Sequence, residues 1–394
     1  MQITRTHIIT ALVILAIVLI AYNVKFNENN DLSYLIPQPR SRKSKDNKVL
    51  LIIGPGRSGT SLLGEMFNSR KDFIYFFEPL KAIRSYHEIL ETTSLQQSQF
   101  VLQETSEYLK DIVTCNYRSR NDKYIRLLHN SGMFWSRMDF LKGPPFCNYP
   151  EVDQKECKAV NITSVMMNKM CDGLNKSVTI VIKDLYKNFA YNDPSLLQFL
   201  PLEQPKIFYV LHALRDPRAI LNSHRKLHWI TDTVNKKNHV EKQSDTAVPI
   251  FCLHMMKLLK DFPSAPGPNT VRYSIFRYDD IAYMNLGRMA SSLADFLRLD
   301  LHDEFQKYLE EKTQAEREIT KTGTLSLAAR DMSEAIMNWR REIPIDLLDQ
   351  IQGTESCQQL ITMLGFDFAV NKEELLDENK VLVKDPVVLE VIGH

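Results

Sequence analysis

The sequence predicts an α/β protein built on a parallel sheet flanked by helices. Three observations predict it: short continuous apolar runs recur along the chain, segments with apolar residues at helical spacing lie between them, and two of the runs end in a turn that opens a helix. A run that is apolar at every position suits a strand covered on both faces, which is how parallel sheets are buried. The runs are KVLLII (48–53), FIYFF (73–77), VTIVI (178–182), KIFYVLHAL (206–214) and VRYSIF (271–276). Between them LLGEMFNSR, PRAILNSHRKLHWI and LGRMASSLADFLRL carry the helical period.

With 394 residues, 44% hydrophobic and 25% charged, the chain can bury a large core as one domain or two. A formal net charge of +1 excludes a strongly basic protein and otherwise says little about partners, among which nucleic acid is not expected. An anionic substrate has to be met by a local cluster of Lys and Arg.

Residues 8–22 are apolar apart from Thr10, with Arg5 before them and Lys25 after. The end of the run, Ala21-Tyr22-Asn23, is a poor match to a cleavage site, so the segment reads as an uncleaved anchor over 8–24 behind a cytosolic tail, 1–7. Such a run is short for a hydrocarbon core of ~30 Å and suits the thinner early secretory membranes. Arg5 and the amino terminus favour the cytosol for the N-terminus and the lumen for the rest. Residues 25–47, polar and proline-bearing, read as a stem, and the domain begins at Lys48.

Two sequons, at Asn161 and Asn175, agree with a lumenal chain. Cys115, Cys147, Cys157, Cys171, Cys252 and Cys357 form no C-x-x-C pair and have no histidine at zinc spacing, so disulfides are expected rather than a metal. Their pairing is open, and Cys252, in IFCLHMMKLLK, also reads as a buried thiol on a core-facing helix. The stretch 115–172, with four of the six cysteines, reads as a loop-rich insertion, and 371–394 as a tail.

The first run leads into GPGRSGTS. Gly54 and Gly59 stand at G-x-x-x-x-G spacing and a helix follows, so backbone N–H groups can converge on one anion. A triphosphate loop would continue with Lys and then Ser or Thr. Here Thr60 and Ser61 follow, and the cation, Arg57, sits inside the loop. An ordinary βα turn without a ligand has the same two glycines, but a guanidinium within it asks for an anion.

GPGRSGTS resembles the 5′-phosphosulfate loop of sulfotransferases, which bind 3′-phosphoadenosine 5′-phosphosulfate (PAPS); the membrane-anchored carbohydrate 6-O-sulfotransferases carry Arg where Arg57 stands. The resemblance implies the sulfotransferase fold, with Arg57, Ser58, Gly59, Thr60 and Ser61 at the phosphosulfate and no metal. A second strand, turn and helix, VLHALRDPRAILNSH (210–224), supplies Asp216 for an N-cap and Pro217 for the first helical position. By the same resemblance Arg215 and Ser223 grip the 3′-phosphate; His224 stands where the family commonly has Arg. IFRYDDIA (275–282), NWRREIP and CQQLITMLGF resemble later segments of that family, so the likeness covers 48–370.

A hydroxyl that attacks sulfur must lose its proton, which needs a base. Glu78, in YFFEPLKAI, follows the second run, where the carboxyl ends of the strands open into a cleft, and the resemblance makes it the base. Lys183 ends the third run and is the candidate to assist the leaving phosphate or orient the acceptor; His87 is the next candidate base, while His212 and His254 read as core histidines. REITKTGTLS (317–326) reads as a cover for the adenosine or as a helix connection.

These residues lead to an expectation: a Golgi type II membrane sulfotransferase that moves a sulfuryl group from PAPS to the 6-OH of Gal, GalNAc or GlcNAc in a glycan, with a homodimer allowed. A lumenal nucleotide kinase, an inactive glycan-binding protein on the same fold and a tyrosine sulfotransferase stay open as alternatives.

Overall fold

In the computed structural model, the structure describes residues 48–384 apart from 69, 90–94, 131–136, 174–177, 189–207, 229–246, 265–270, 314–331, 370 and 378–379. The anchor at 8–24, the stem, Asn175 and the segment 317–326 lie outside the described residues. Among the described residues no helix is long and apolar enough to cross a membrane.

Five strands form one sheet: β1 (Val49–Gly54), β2 (Phe73–Phe77), β3 (Thr179–Leu185), β4 (Phe208–Leu214) and β5 (Val271–Arg277), in the order β2-β3-β1-β4-β5. Every pairing is parallel. Each apolar run became a strand, and β1 to β4 are buried at every position because helices cover both faces. The register sets Gly54 opposite Leu185 and Phe77 opposite Lys183, so the carboxyl ends of β1, β2 and β3 open on one edge.

Helix α1 (Thr60–Asn68) follows β1 and buries Leu63, Met66 and Phe67, while α2 (Lys81–Ile89) follows β2. The segment expected as a loop-rich insertion is instead largely helical. After α3 (Leu95–Thr114) come α4 (Asp122–Asn130), α5 (Gln154–Ala159) and α6 (Ser164–Gly173), stapled by the disulfides Cys115–Cys171 and Cys147–Cys157. These helices are too short to show many turns of periodicity, and the cross-links supply what their small apolar faces do not.

Beyond β4 come α7 (Pro217–Lys226), α8 (Ala247–Ser264), α9 (Leu286–Leu297), α10 (His302–Thr313), α11 (Met332–Glu342), α12 (Ile345–Gly353), α13 (Glu355–Met363) and α14 (Lys372–Leu376). Cys252 is not a free thiol: it joins α8 to α13 through Cys357, and both residues are fully buried. The core-facing side of α8 was legible, but its partner came from more than a hundred residues away. Packing also continues past residue 370, where Phe366 bridges Val383 and both Leu375 and Leu382 are buried.

Candidate active site

The chain leaves β1 toward the β2–β3 side of the sheet and leaves β4 toward β5, so the crevice outside the carboxyl ends of β1 and β4 is a topological switch point, where open α/β sheets bind ligands. β1 ends at Gly54, where a Cβ would lie 2.3 Å from the Ala213 carbonyl oxygen of β4. Only glycine permits that approach. The loop then turns through two left-handed residues, Arg57 (φ 76°) and Gly59 (φ 89°), and a Cβ on Gly59 would lie 2.2 Å from Tyr278 Cδ2. Ser58 is buried and its hydroxyl donates to the Pro55 carbonyl at 2.8 Å, so this side chain tightens the loop. Thr60 opens α1, and the helix N-terminus with its backbone N–H groups starts from this loop; Ser61 is half-buried beside it.

β4 leads to the second turn. Asp216 caps α7 by accepting from Arg218 N at 2.9 Å and also holds the buried Arg218 guanidinium at 3.0 and 2.8 Å, with Pro217 in the first turn as the sequence predicts. The capped helix carries Ser223 and His224 back to the first loop. Arg57 Nε donates to Ser223 Oγ at 2.8 Å, His224 Nε2 donates to the Gly56 carbonyl at 3.0 Å, and Arg215 Nη1 donates to the Arg57 carbonyl at 3.3 Å. The Arg215 guanidinium stands 4.9 Å from the centre of the Tyr278 ring. Arg57, Arg215 and Ser223, more than 150 residues apart in the chain for the first and last, thus share one cradle. Burial, with the charges of Lys187 and Arg57, pulls His224 down to about 4 against its bond to Gly56, so the ring is neutral near pH 7. Tyr278 and the strap made by His224 were not assigned from sequence; Tyr278 had a signal, its position in the IFRYDDIA segment.

The second half of the site lies at the ends of β2 and β3. Glu78 adopts φ 46° directly after β2, and its N–H donates to the Lys183 carbonyl at 2.6 Å. Lys183 Nζ donates to Glu78 Oε1 at 2.5 Å and lies 4.4 Å from the centre of the Phe77 ring. Both side chains are more than nine-tenths buried. Burial pushes the Glu78 carboxyl up, but the charge and hydrogen bond of Lys183, with Lys81 and Lys187 behind it, carry it below the ordinary carboxylate range. Burial lowers Lys183 as well, opposed by the charge and hydrogen bond of Glu78 and by the charge of Asp184, and the 2.5 Å contact is that of an ion pair.

Next to it Asp184 is fully buried, and burial followed by the charge of Glu78 pushes it up to about 7. The structure thus brings Glu78 and Lys183 together, which their 105-residue separation does not reveal. His87 is engaged elsewhere, 2.7 Å from Glu104, and buried His212 meets the Tyr273 hydroxyl at 2.6 Å and is pulled down to about 3 by burial. His254, on α8, is half-buried and also lowered by burial, with Lys257 adding to it. Among the described residues there is no group of three or more His, Cys, Asp or Glu that could hold a metal ion.

Two anion-suited turns joined by Arg57, and an ionised Glu–Lys pair on the same sheet edge, fit transfer of an anionic group to a hydroxyl. No family model matches the chain. Among curated proteins, carbohydrate sulfotransferase 1 of Danio rerio is 23% identical over 85% of this chain and 82% of its own length. Carbohydrate sulfotransferase 4 of Mus musculus is 23% identical over 80% and 81%, and carbohydrate sulfotransferase 6 of Homo sapiens 23% over 86% of each chain.

This chain is similar to the carbohydrate sulfotransferases. The likeness runs along most of its length and agrees with the resemblance seen in the sequence. Among solved structures, the sulfotransferase domain from the Synechococcus PCC 7002 olefin synthase matches with a TM-score of 0.42 and 14% identity, over 84% of this chain and 98% of that one.

Proposed function

We propose that this protein is a PAPS-dependent carbohydrate sulfotransferase that sulfates the 6-OH of Gal, GalNAc or GlcNAc in a glycan. The observation that carries the reading is the hydrogen bond from Arg57 to Ser223, which fuses two separate anion-suited turns into one cradle. A triphosphate needs one such turn, with a lysine and a metal; a nucleotide phosphorylated at both 3′ and 5′ positions needs two. The cradle's donors, two guanidiniums, a hydroxyl and the N–H groups of the α1 N-terminus, match two anions without a metal.

In this reading Arg57 and the backbone from Ser58 to Ser61 hold the phosphosulfate, and Arg215 and Ser223 hold the 3′-phosphate. Glu78 takes the proton of the attacking hydroxyl as the new oxygen–sulfur bond forms. The bond from sulfur to the 5′-phosphate oxygen breaks, leaving adenosine 3′,5′-bisphosphate (PAP) and a sulfated sugar. Lys183 has two tasks that follow one another. Before reaction it keeps Glu78 ionised, and as it swings toward the oxygen left on the phosphate, Glu78 loses its counter-ion and becomes a stronger base when the proton arrives.

The test combines binding and chemistry. Calorimetry without metal should give tight binding of PAP and much weaker binding of ATP; equal affinities would favour a nucleotide kinase. Incubation with PAPS and a panel of desulfated glycans, followed by linkage analysis, should find sulfate on a 6-OH. Glu78→Gln should retain PAP affinity within about twofold while single-turnover transfer falls by roughly 10²- to 10⁴-fold. A Glu78→Gln enzyme that turns over at the wild-type rate would remove Glu78 from the mechanism.

The same proposal extends to location: residues 8–24 anchor the chain in the Golgi membrane with the catalytic domain in the lumen. Three disulfides and the sequon at Asn161 support it. Loss of mass on glycosidase treatment, and protection from protease in sealed vesicles, are the expected results; an unglycosylated, soluble cytosolic form would refute the assignment.

A further inference from the structure

Glu78 does not stand alone at the end of β2. Asp184, the residue after Lys183, collects three hydrogen bonds on its two oxygens. Leu80 N donates to Oδ2 at 2.9 Å, and Leu185 N and Asn188 Nδ2 donate to Oδ1 at 2.8 and 2.7 Å. Leu80 lies two residues beyond Glu78, so the first of these bonds pins the turn in which Glu78 holds its left-handed backbone. Asn188 Nδ2 also lies 3.4 Å from Glu78 Oε2, the oxygen that does not meet Lys183. The amide of Asn188 therefore sits between two carboxyl groups, and that fixes which way it faces: turned over, its oxygen would meet the Glu78 carboxylate and the Asp184 oxygen that already accepts from Leu185 N. All four members, Glu78, Leu80, Asp184 and Asn188, are buried.

A carboxylate that receives three donors is irreplaceable by its amide. In Asp184→Asn one oxygen becomes an NH₂ group, and that group must point either at Leu80 N–H or at the Leu185 and Asn188 donors. Either way a donor faces a donor in a site closed to water. Lys183, Lys81 and Lys187 act on Glu78 from β3, α2 and the 3-10 turn Tyr186–Asn188 after β3, and Tyr108 of α3 lies in the field of Asp184. Those groups act on the two carboxylates through their charge and field, whereas the hydrogen bonds that hold the turn run through Leu80 and Asn188.

We propose that Asp184, acting through the Leu80 amide and the Asn188 side chain, is the positioning residue that holds the Glu78 carboxylate in place for proton transfer. The proposal rests on the reading of Glu78 as the base. It assigns Asp184 no contact with substrate: it fixes the turn that presents Glu78 and the amide that occupies the carboxylate's second oxygen until a hydroxyl approaches.

The test is a double-mutant cycle on the full chain, read by single-turnover sulfate transfer at saturating PAPS. Asp184→Asn should slow transfer by ~10-fold or more, since a lost hydrogen bond to a charged group is worth about one decade. PAP affinity should stay within about twofold, because the cradle at β1 and β4 is untouched. Asn188→Ala, which leaves the Leu80 clamp intact, should slow transfer by a smaller factor and serves if Asp184→Asn does not fold. In a Glu78→Gln background neither change should slow transfer further, as expected for residues that act as one unit.

Independently of activity, hydrogen exchange at the Leu80 amide should speed up in Asp184→Asn and stay slow in Asn188→Ala. Wild-type turnover in both variants while Glu78→Gln is impaired would overturn the positioning role alone. Full multiplicative loss in the Glu78→Gln background would overturn it too, by showing that Asp184 acts elsewhere. Wild-type turnover in Glu78→Gln itself would instead bring down the base assignment, and the positioning role with it.

Discussion

The two halves of the site lie on one sheet edge but use cations differently. At the ends of β1 and β4, the bonds that Arg57 and Arg215 give across the cradle end on neutral atoms, a serine hydroxyl and a backbone carbonyl. At the ends of β2 and β3, Lys183 gives its bond to a carboxylate in a place closed to water. The Arg215 guanidinium also lies in the field of buried Asp279, so the cradle's cations are held by neutral atoms and a neighbouring carboxyl, whereas the Lys183 ammonium bonds its buried carboxylate directly. The first arrangement favours binding. The second favours proton handling, because moving the cation changes the basicity of the carboxylate.

The largest expected effect tests the second half. Lys183→Met keeps the bulk and removes the charge, leaving Glu78 buried without its nearest counter-ion. Breaking a buried pair in this way costs about 3 to 5 kcal/mol, and denaturant unfolding should show a loss of that size. The double variant Lys183→Met with Glu78→Gln should recover much of it, since neither charge is then stranded. A single-variant loss under about 1 kcal/mol is what an exposed ion pair gives, and it would erase the contrast between the two halves.

Arg57→Ala tests the first half, where the expected loss appears in binding rather than in folding. One charge-assisted hydrogen bond to phosphate is worth about 1.5 to 3 kcal/mol, so PAP affinity should fall by roughly ten- to a hundredfold by calorimetry. Transfer should slow as well, because the same guanidinium meets the developing charge on the departing phosphate. Unfolding should change little, since Ser223 keeps access to solvent and loses only one partner. A variant that unfolds early but binds PAP normally would reverse the assignment of this half.

How much of this was legible follows from the same contrast. The cradle is written locally: Gly54, Arg57 and Gly59 lie within six residues, and Asp216-Pro217 announces a capped helix, so each half of it was readable by itself. The continuous apolar runs likewise announced a buried parallel sheet. The Glu78–Lys183 pair is written in the strand order, because Phe77 comes opposite Lys183 only once β3 inserts between β2 and β1, and no spacing in the chain dictates that insertion. Asp184 was equally hidden, as a carboxyl following a strand lysine looks like any surface turn until burial and the Leu80 and Asn188 bonds are known. The cysteine pairing and the helices of the insertion were hidden for a related reason: each depends on a distant partner rather than on local periodicity.

The smallest expected effect sharpens the comparison through pH. His224 straps the Gly56 carbonyl and is half-buried, and its folded-state value of about 4 lies below the 6.5 of an exposed histidine. A histidine depressed in the folded state supports stability above about pH 6.5, and that support is lost as pH falls toward 4, because protons then bind the unfolded chain more tightly. His224→Gln keeps an N–H donor for Gly56 but does not titrate. One proton bound by the unfolded chain alone is worth about 1.4 kcal/mol for each pH unit, so the stability difference between wild type and this variant should move against wild type by about 1 to 2 kcal/mol between pH 7 and pH 5. Taking the difference cancels the other titrating groups, Asp184 among them. Glu78, lowered rather than raised by its partner, contributes in the opposite place: its support is complete above the ordinary carboxylate range and is lost only below it. Because folded His224 stays neutral until the pH nears 4, PAP affinity should hold between pH 7 and pH 5 while the stability difference moves. A pH-independent gap between wild type and His224→Gln would mean that His224 titrates alike in the folded and unfolded chain, and would remove the depressed value that burial is argued to give it.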